Sequence, residues 1–136
     1  MPDLHELEQK NWQLVEEAKR MFSEHLWQNA IDQFMQSREI CQEQRWPAGV
    51  EYAEKMIKQS WGAQNEQLVN DAKKALQAND PHRAILLYNQ SMRICAFQNW
   101  PEGVQFAKEQ ILLAERLLSQ SSSVPKVSKT TKSRKK

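Results

Sequence analysis

Arg45–Ile57 reads RWPAGVEYAEKMI, and Asn99–Ile111 reads NWPEGVQFAKEQI: the same phrase, displaced by 54 residues. Working outward from it, Leu14–Ser60 aligns with Leu68–Ala114 without a gap, giving 17 identities in 47 pairs. Gapless self-similarity at such a period marks a repeat of one supersecondary unit, because each copy must bury the same face. The shared positions fit that reading. Leu14/Leu68, Val15/Val69, Ala18/Ala72, Ala30/Ala84, Ile31/Ile85, Ser37/Ser91, Ile40/Ile94, Cys41/Cys95, Val50/Val104, Ala53/Ala107 and Ile57/Ile111 are apolar or small. Lys19/Lys73, Gln36/Gln90 and Gln44/Gln98 are the polar exceptions.

The spacing within each copy predicts three helices. Leu14, Val15, Ala18, Met21 and Phe22 fall on one helical face. A break follows at HLWQN, and its counterpart ANDPHRA shows how the next helix starts. Asp80 caps it, and Pro81 at the first helical position gives up a donor that has no intrahelical partner anyway. Ala30, Ile31, Phe34, Ser37, Ile40 and Cys41 form the second stripe, matched by Ala84, Ile85, Tyr88, Ser91, Ile94 and Cys95. The repeated phrase then makes a corner. Pro47 and Pro101 exclude the preceding tryptophan from the α region and preset the first turn of a third helix. Gly49 and Gly103 inside that turn are poor helix formers, so a neighbouring backbone or the tryptophan ring is expected to need the space. Gly62 in QSWGAQN reads as the stop of the first unit's third helix. The expectation is therefore six helices, in a unit at about 10–62 and another at about 64–119.

Strand formers and glycine are sparse, so summed propensity favours helix almost throughout the 136 residues. No apolar run approaches the roughly eighteen residues of a membrane span, and the start MPDLHELEQ lacks a secretory signal's basic and apolar parts. These features predict a cytoplasmic protein. Cys41 and Cys95, at equivalent places in stacked repeats, are expected about one repeat rise apart, too far to bridge, and to be small buried side chains.

The net charge of +2 conceals two opposite parts. Lys126, Lys129, Lys132, Arg134, Lys135 and Lys136 give the C-terminus six positive charges, leaving thirteen bases against seventeen acids, a net −4, in residues 1–125. Residues 121–136, SSSVPKVSKTTKSRKK, are too polar to bury a core and are expected to be a disordered basic tail, beyond a helical domain over 1–120. Six clustered charges attract nucleic acid or anionic lipid weakly and without sequence choice.

The first two helices of each copy resemble the tetratricopeptide repeat. Ala18, Met21, Ala30, Phe34 and Ser37, and in the second copy Ala72, Ala75, Ala84, Tyr88 and Ser91, match that family's small, large and aromatic positions. Trp27 resembles the family's aromatic at the turn. The period is about twenty residues longer than the family's, and the family's closing proline falls on Gln42 and Ala96, with the Trp-Pro corner following. Other helical-hairpin families, including microtubule-interacting and trafficking modules, share the alanine and aromatic pattern. The resemblance implies an all-α fold: two tandem three-helix tetratricopeptide-like units forming a short α-α superhelix. It also implies a groove lined by first helices, where Trp12, Lys19, Ser23, Glu66, Lys73 and Gln77 stand.

Catalytic chemistry finds no support in the pattern. His5, His25 and His82 are isolated from one another and from any cysteine pair, and no glycine-rich phosphate loop is present. Ser37 and Ser91 lie in core stripes. No cofactor is implied. The sequence therefore points to a non-enzymatic adaptor that binds a peptide or protein segment on a helical face. The alternative is a nucleic-acid or anionic-membrane accessory acting through the tail. The apolar ILLAERLL at Ile111–Leu118 leaves self-association open as well.

Overall fold

The computed structural model describes residues 3–123, with the side chains of 121–123 excepted. The six tail cations at 126–136 lie outside the described residues, as does the expectation of disorder there. Among the described residues five helices follow one another: α1 (Leu4–Ser23), α2 (Trp27–Gln44), α3 (Pro47–Gln77), α4 (Pro81–Phe97) and α5 (Pro101–Ser123). No strand occurs among the described residues. The chain divides into two compact units, Met1–Gln64 and Asn65–Lys136, and the division falls within α3.

Two expectations are corrected here. Among the described residues the helices number five, not six, because Gly62 does not end a helix: α3 runs through it for 31 residues. A glycine stops a helix by taking a left-handed φ, and no glycine in this chain has a positive one. In an ordinary helical conformation Gly62 costs only about 1 kcal/mol against alanine, which the helix formers around it outweigh. The last helix also continues three residues beyond Gln120, to Ser123.

The chain turns its corners without glycine. His25, Arg45, Asn79 and Asn99 all have φ near +60°, two pairs at the 54-residue offset. Each closes a Schellman motif. Leu26 N–H donates to Met21 O, Trp46 to Cys41 O, Asp80 to Ala75 O and Trp100 to Cys95 O, all at 2.8–2.9 Å. The left-handed residue itself donates to a carbonyl three residues back in each case. These bonds satisfy carbonyls that a helix end would otherwise orphan. Helix starts follow local chemistry. Asp3 and Glu6 exchange side chain-to-backbone bonds in a capping box that opens α1. Asp80 accepts from Arg83 N–H at 3.2 Å with Pro81 at the first position of α4.

Each unit has its own core. In the first, α1 packs on α2, and Ala18, Ala30, Ile31, Phe34 and Ile57 are buried, with Met21, Phe22, Met56 and Trp61 against them. In the second, α4 packs on α5, and Ala72, Ala75, Ala84 and Tyr88 are buried, flanked by Val69, Leu76, Leu87 and Ile111. Full burial of side chains such as Ile31 or Phe34 contributes about 1.5–3 kcal/mol each. The ring contacts repeat too. Phe34 meets Tyr52 edge-on at 6.2 Å, and Tyr88 meets Phe106 edge-on at 6.1 Å.

Candidate interaction surfaces

The most buried polar chemistry is a duplicated cluster of asparagine, serine and cysteine. Ser37 Oγ–H donates to Asn11 Oδ1 at 2.5 Å, and Cys41 S–H to the same oxygen at 3.7 Å. In the second unit Ser91 donates to Asn65 at 2.5 Å and Cys95 at 3.6 Å. Helical spacing produces this. Serine and cysteine four apart on α2 and on α4 stack on one face, opposite Asn11 in the middle of α1 and Asn65 within α3. One amide oxygen accepts from two buried donors, which leaves neither hydroxyl nor thiol unsatisfied.

The same sulfur, and not a neighbouring backbone or the tryptophan ring as the sequence suggested, explains the glycine in the repeated phrase. An alanine methyl at Gly49 would stand 2.5 Å from Cys41 Sγ and 3.3 Å from its Cβ, and at Gly103 the Cys95 side chain occupies the equivalent place. Each thiol thus binds an amide on one side and bears on a glycine on the other. Burial raises the pKa of Cys41, opposed in part by hydrogen bonding with Ser37, and raises that of Cys95, opposed in part by hydrogen bonding with Ser91. Both are free thiols that stay protonated at neutral pH, so the clusters are suited to packing and not to thiolate chemistry.

Beside each cluster the Trp-Pro corner borders an open cleft. In the first unit it encloses about 680 Å³ among Cys41, Arg45, Trp46, Pro47, Val50 and Glu51. In the second it encloses about 450 Å³ among Cys95, Asn99, Trp100, Pro101, Val104 and Gln105. The floors are alike and the rims differ: Arg45 and Glu51 give way to Asn99 and Gln105. Both tryptophans are half-buried, so each seals a corner while keeping one side toward solvent.

The groove residues expected from the sequence divide between the two units. Trp12, Lys19 and Ser23 lie on α1, spaced by seven and four, and so share a face. Trp12 is 63 % exposed and borders a shallow recess with His5, Glu8 and Gln9. Lys19 pairs with Glu16 at 3.2 Å, both half-exposed, and Ser23 Oγ–H donates to the Arg20 carbonyl at 2.7 Å. Glu66, Lys73 and Gln77 occupy the matching positions on α3, all exposed. Asn70 replaces Glu16 there, and Lys73 Nζ lies instead 6.0 Å from the Phe106 ring centroid. The repeated lysines therefore have different neighbours. An exposed ion pair such as Lys19–Glu16 holds little energy, and the lysine can leave it for a better acceptor.

Asn11 and Asn65 went unrecognised in the sequence, although the signal was present. Extending the gapless alignment three residues toward the N-terminus pairs Asn11 with Asn65 and Gln13 with Gln67. Among the described residues no group of three His, Cys, Asp or Glu side chains is placed to hold a metal ion. None of the described helices is long and apolar enough to cross a membrane. Compared with protein-family models, curated proteins and solved structures, the chain matches none.

Proposed function

We propose that the chain is a cytoplasmic, non-enzymatic adaptor of tetratricopeptide-like type, which binds a peptide or protein segment on the α1 face carrying Trp12, Lys19 and Ser23. Glu66, Lys73 and Gln77 form the equivalent face in the second unit. The observation that supports this most is Trp12. It is 63 % exposed, and its position in the second unit holds an exposed Glu66. The same backbone position accepts a carboxylate, so packing does not call for an indole there. An exposed tryptophan carries a large rigid contact area at low entropic cost, as anchors of protein interfaces do.

The test compares Trp12→Ala with wild type. Loss of an exposed ring should change stability by less than about 0.5 kcal/mol. A partner recovered with the wild-type chain from host extract should be lost with the variant, and retention of that partner would reject the α1 face. A second reading rests on the six cations at 126–136. Retention on heparin that disappears on deleting residues 121–136, and that falls steeply with salt, would favour polyanion contact instead.

A further inference from the structure

The duplication supplies a control for every surface residue, since a position that is polar and exposed in one unit needs no apolar side chain for the fold. On α5, Leu112 is 54 % exposed, Leu113 46 % and Leu117 45 %. The counterparts of the first two are Lys58 and Gln59, both exposed. Leu112 and Leu113 are therefore additions to a scaffold that stands without them, and Leu117, one turn beyond Leu113, extends an exposed apolar group of the kind that marks association.

The charges around this group say what covers it. Glu109, Leu112, Leu113 and Arg116 are spaced as one helical face, with an acid one turn before the leucine pair and a base one turn after it. Glu109 is exposed and its Oε2 accepts from Gln105 Nε2 at 3.2 Å, which keeps the carboxylate on this side. In an antiparallel pair of α5 helices related by a two-fold axis between Leu112 and Leu113, each Glu109 faces an Arg116, twice over. Parallel pairing would set Glu109 against Glu109 and Arg116 against Arg116. We propose that the chain forms an antiparallel homodimer through α5, with Leu112 and Leu113 at its centre and reciprocal Glu109–Arg116 pairs at its flanks. Such an isologous contact is closed, so it stops at two copies.

The experiment is sedimentation equilibrium of the full chain over several decades of concentration, with circular dichroism confirming helix content in each variant. Wild type should show a monomer–dimer equilibrium. Leu113→Glu should weaken it about a hundredfold, a tenfold loss at each of two symmetric positions. Glu109→Arg and Arg116→Glu should each weaken it alone, because each places like charges opposite one another. Mixing these two variants should restore association as a heterodimer, and so should combining both changes in one chain. A monomer at every concentration would overturn the proposal. So would a dimer indifferent to Leu113→Glu, or one in which the mixture associates no better than either variant alone.

Discussion

Gly49→Ala is the sharpest probe of the corner that the repeated phrase builds. Judged by helix propensity alone the change should stabilise, since glycine in the body of a helix costs up to about 1 kcal/mol relative to alanine. The structure predicts the opposite sign. The new methyl would lie 2.5 Å from Cys41 Sγ, and that sulfur is fully buried and held by its bond to Asn11, which it must give up to move away. Overpacking of this kind costs about 1–3 kcal/mol, so the net effect is a loss of about 1–2 kcal/mol. Removing the sulfur should reverse it. In a Cys41→Ala background the nearest atom is the residue 41 Cβ at 3.3 Å, a gap that a few tenths of an ångström relieves. Gly49→Ala should then be neutral or stabilising by up to about 1 kcal/mol. Urea denaturation of wild type, both single variants and the double variant closes the cycle, with unchanged m-values as the check on two-state behaviour. The expected coupling is about 2 kcal/mol. Purely additive effects, or a Gly49→Ala more stable than wild type, would show that the thiol is not why glycine stands there.

Tyr88 has a fully buried hydroxyl without a hydrogen-bond partner, and its counterpart is Phe34. Tyr88→Phe should therefore leave stability unchanged or raise it by up to about 1 kcal/mol; a loss beyond that, measured by denaturation, would mean that the oxygen is satisfied in solution. Arg45 holds a left-handed φ of 60°, so Arg45→Gly should raise the urea midpoint by the equivalent of about 0.5–1 kcal/mol, and Asn99→Gly by less, because asparagine tolerates that region. A fall at residue 45 would locate a contact of the arginine side chain that outweighs its backbone strain. Burial raises the Cys41, Cys95 and Tyr88 pKa values above their ordinary 9.0, 9.0 and 10.0. At high pH the unfolded chain therefore binds fewer protons than the folded one, so this stability is complete below about pH 9 and is lost as pH rises through the folded values. Urea midpoints taken from pH 7 to pH 11 should fall, and Tyr88→Phe should remove the part that sets in above the phenol's ordinary value; a flat profile would refute the burial of these groups.

The periodic features of the fold were readable from sequence because each has a local cause. The apolar stripes, the Asp80 cap with Pro81 and the Trp-Pro corners all follow from spacing or from what proline does to its neighbours. The unbroken α3 was not readable, because Gly62 resembles a stop signal only if glycine is the residue that turns this chain. Here the left-handed positions belong to His25, Arg45, Asn79 and Asn99, and two of the three glycines serve close packing against sulfur. Asn11 and Asn65 escaped notice for a related reason. Polar residues at the edge of an alignment look like surface, and only tertiary contact shows that each accepts two buried donors. Of the candidate groove, the placement of Trp12 on an open face could be inferred, whereas the separate surroundings of Lys19 and Lys73 depend on Glu16 having no acidic counterpart.

The sulfur wedged between asparagine and glycine also bears on chemical ageing. Cys41 is fully buried and Cys95 1 % exposed, so peroxide reaches either sulfur mainly during transient opening of its unit. The oxidised side chain could not then be repacked. Each lesion would accumulate as the time spent open, leaving a covalent record of how often that half of the molecule breathes.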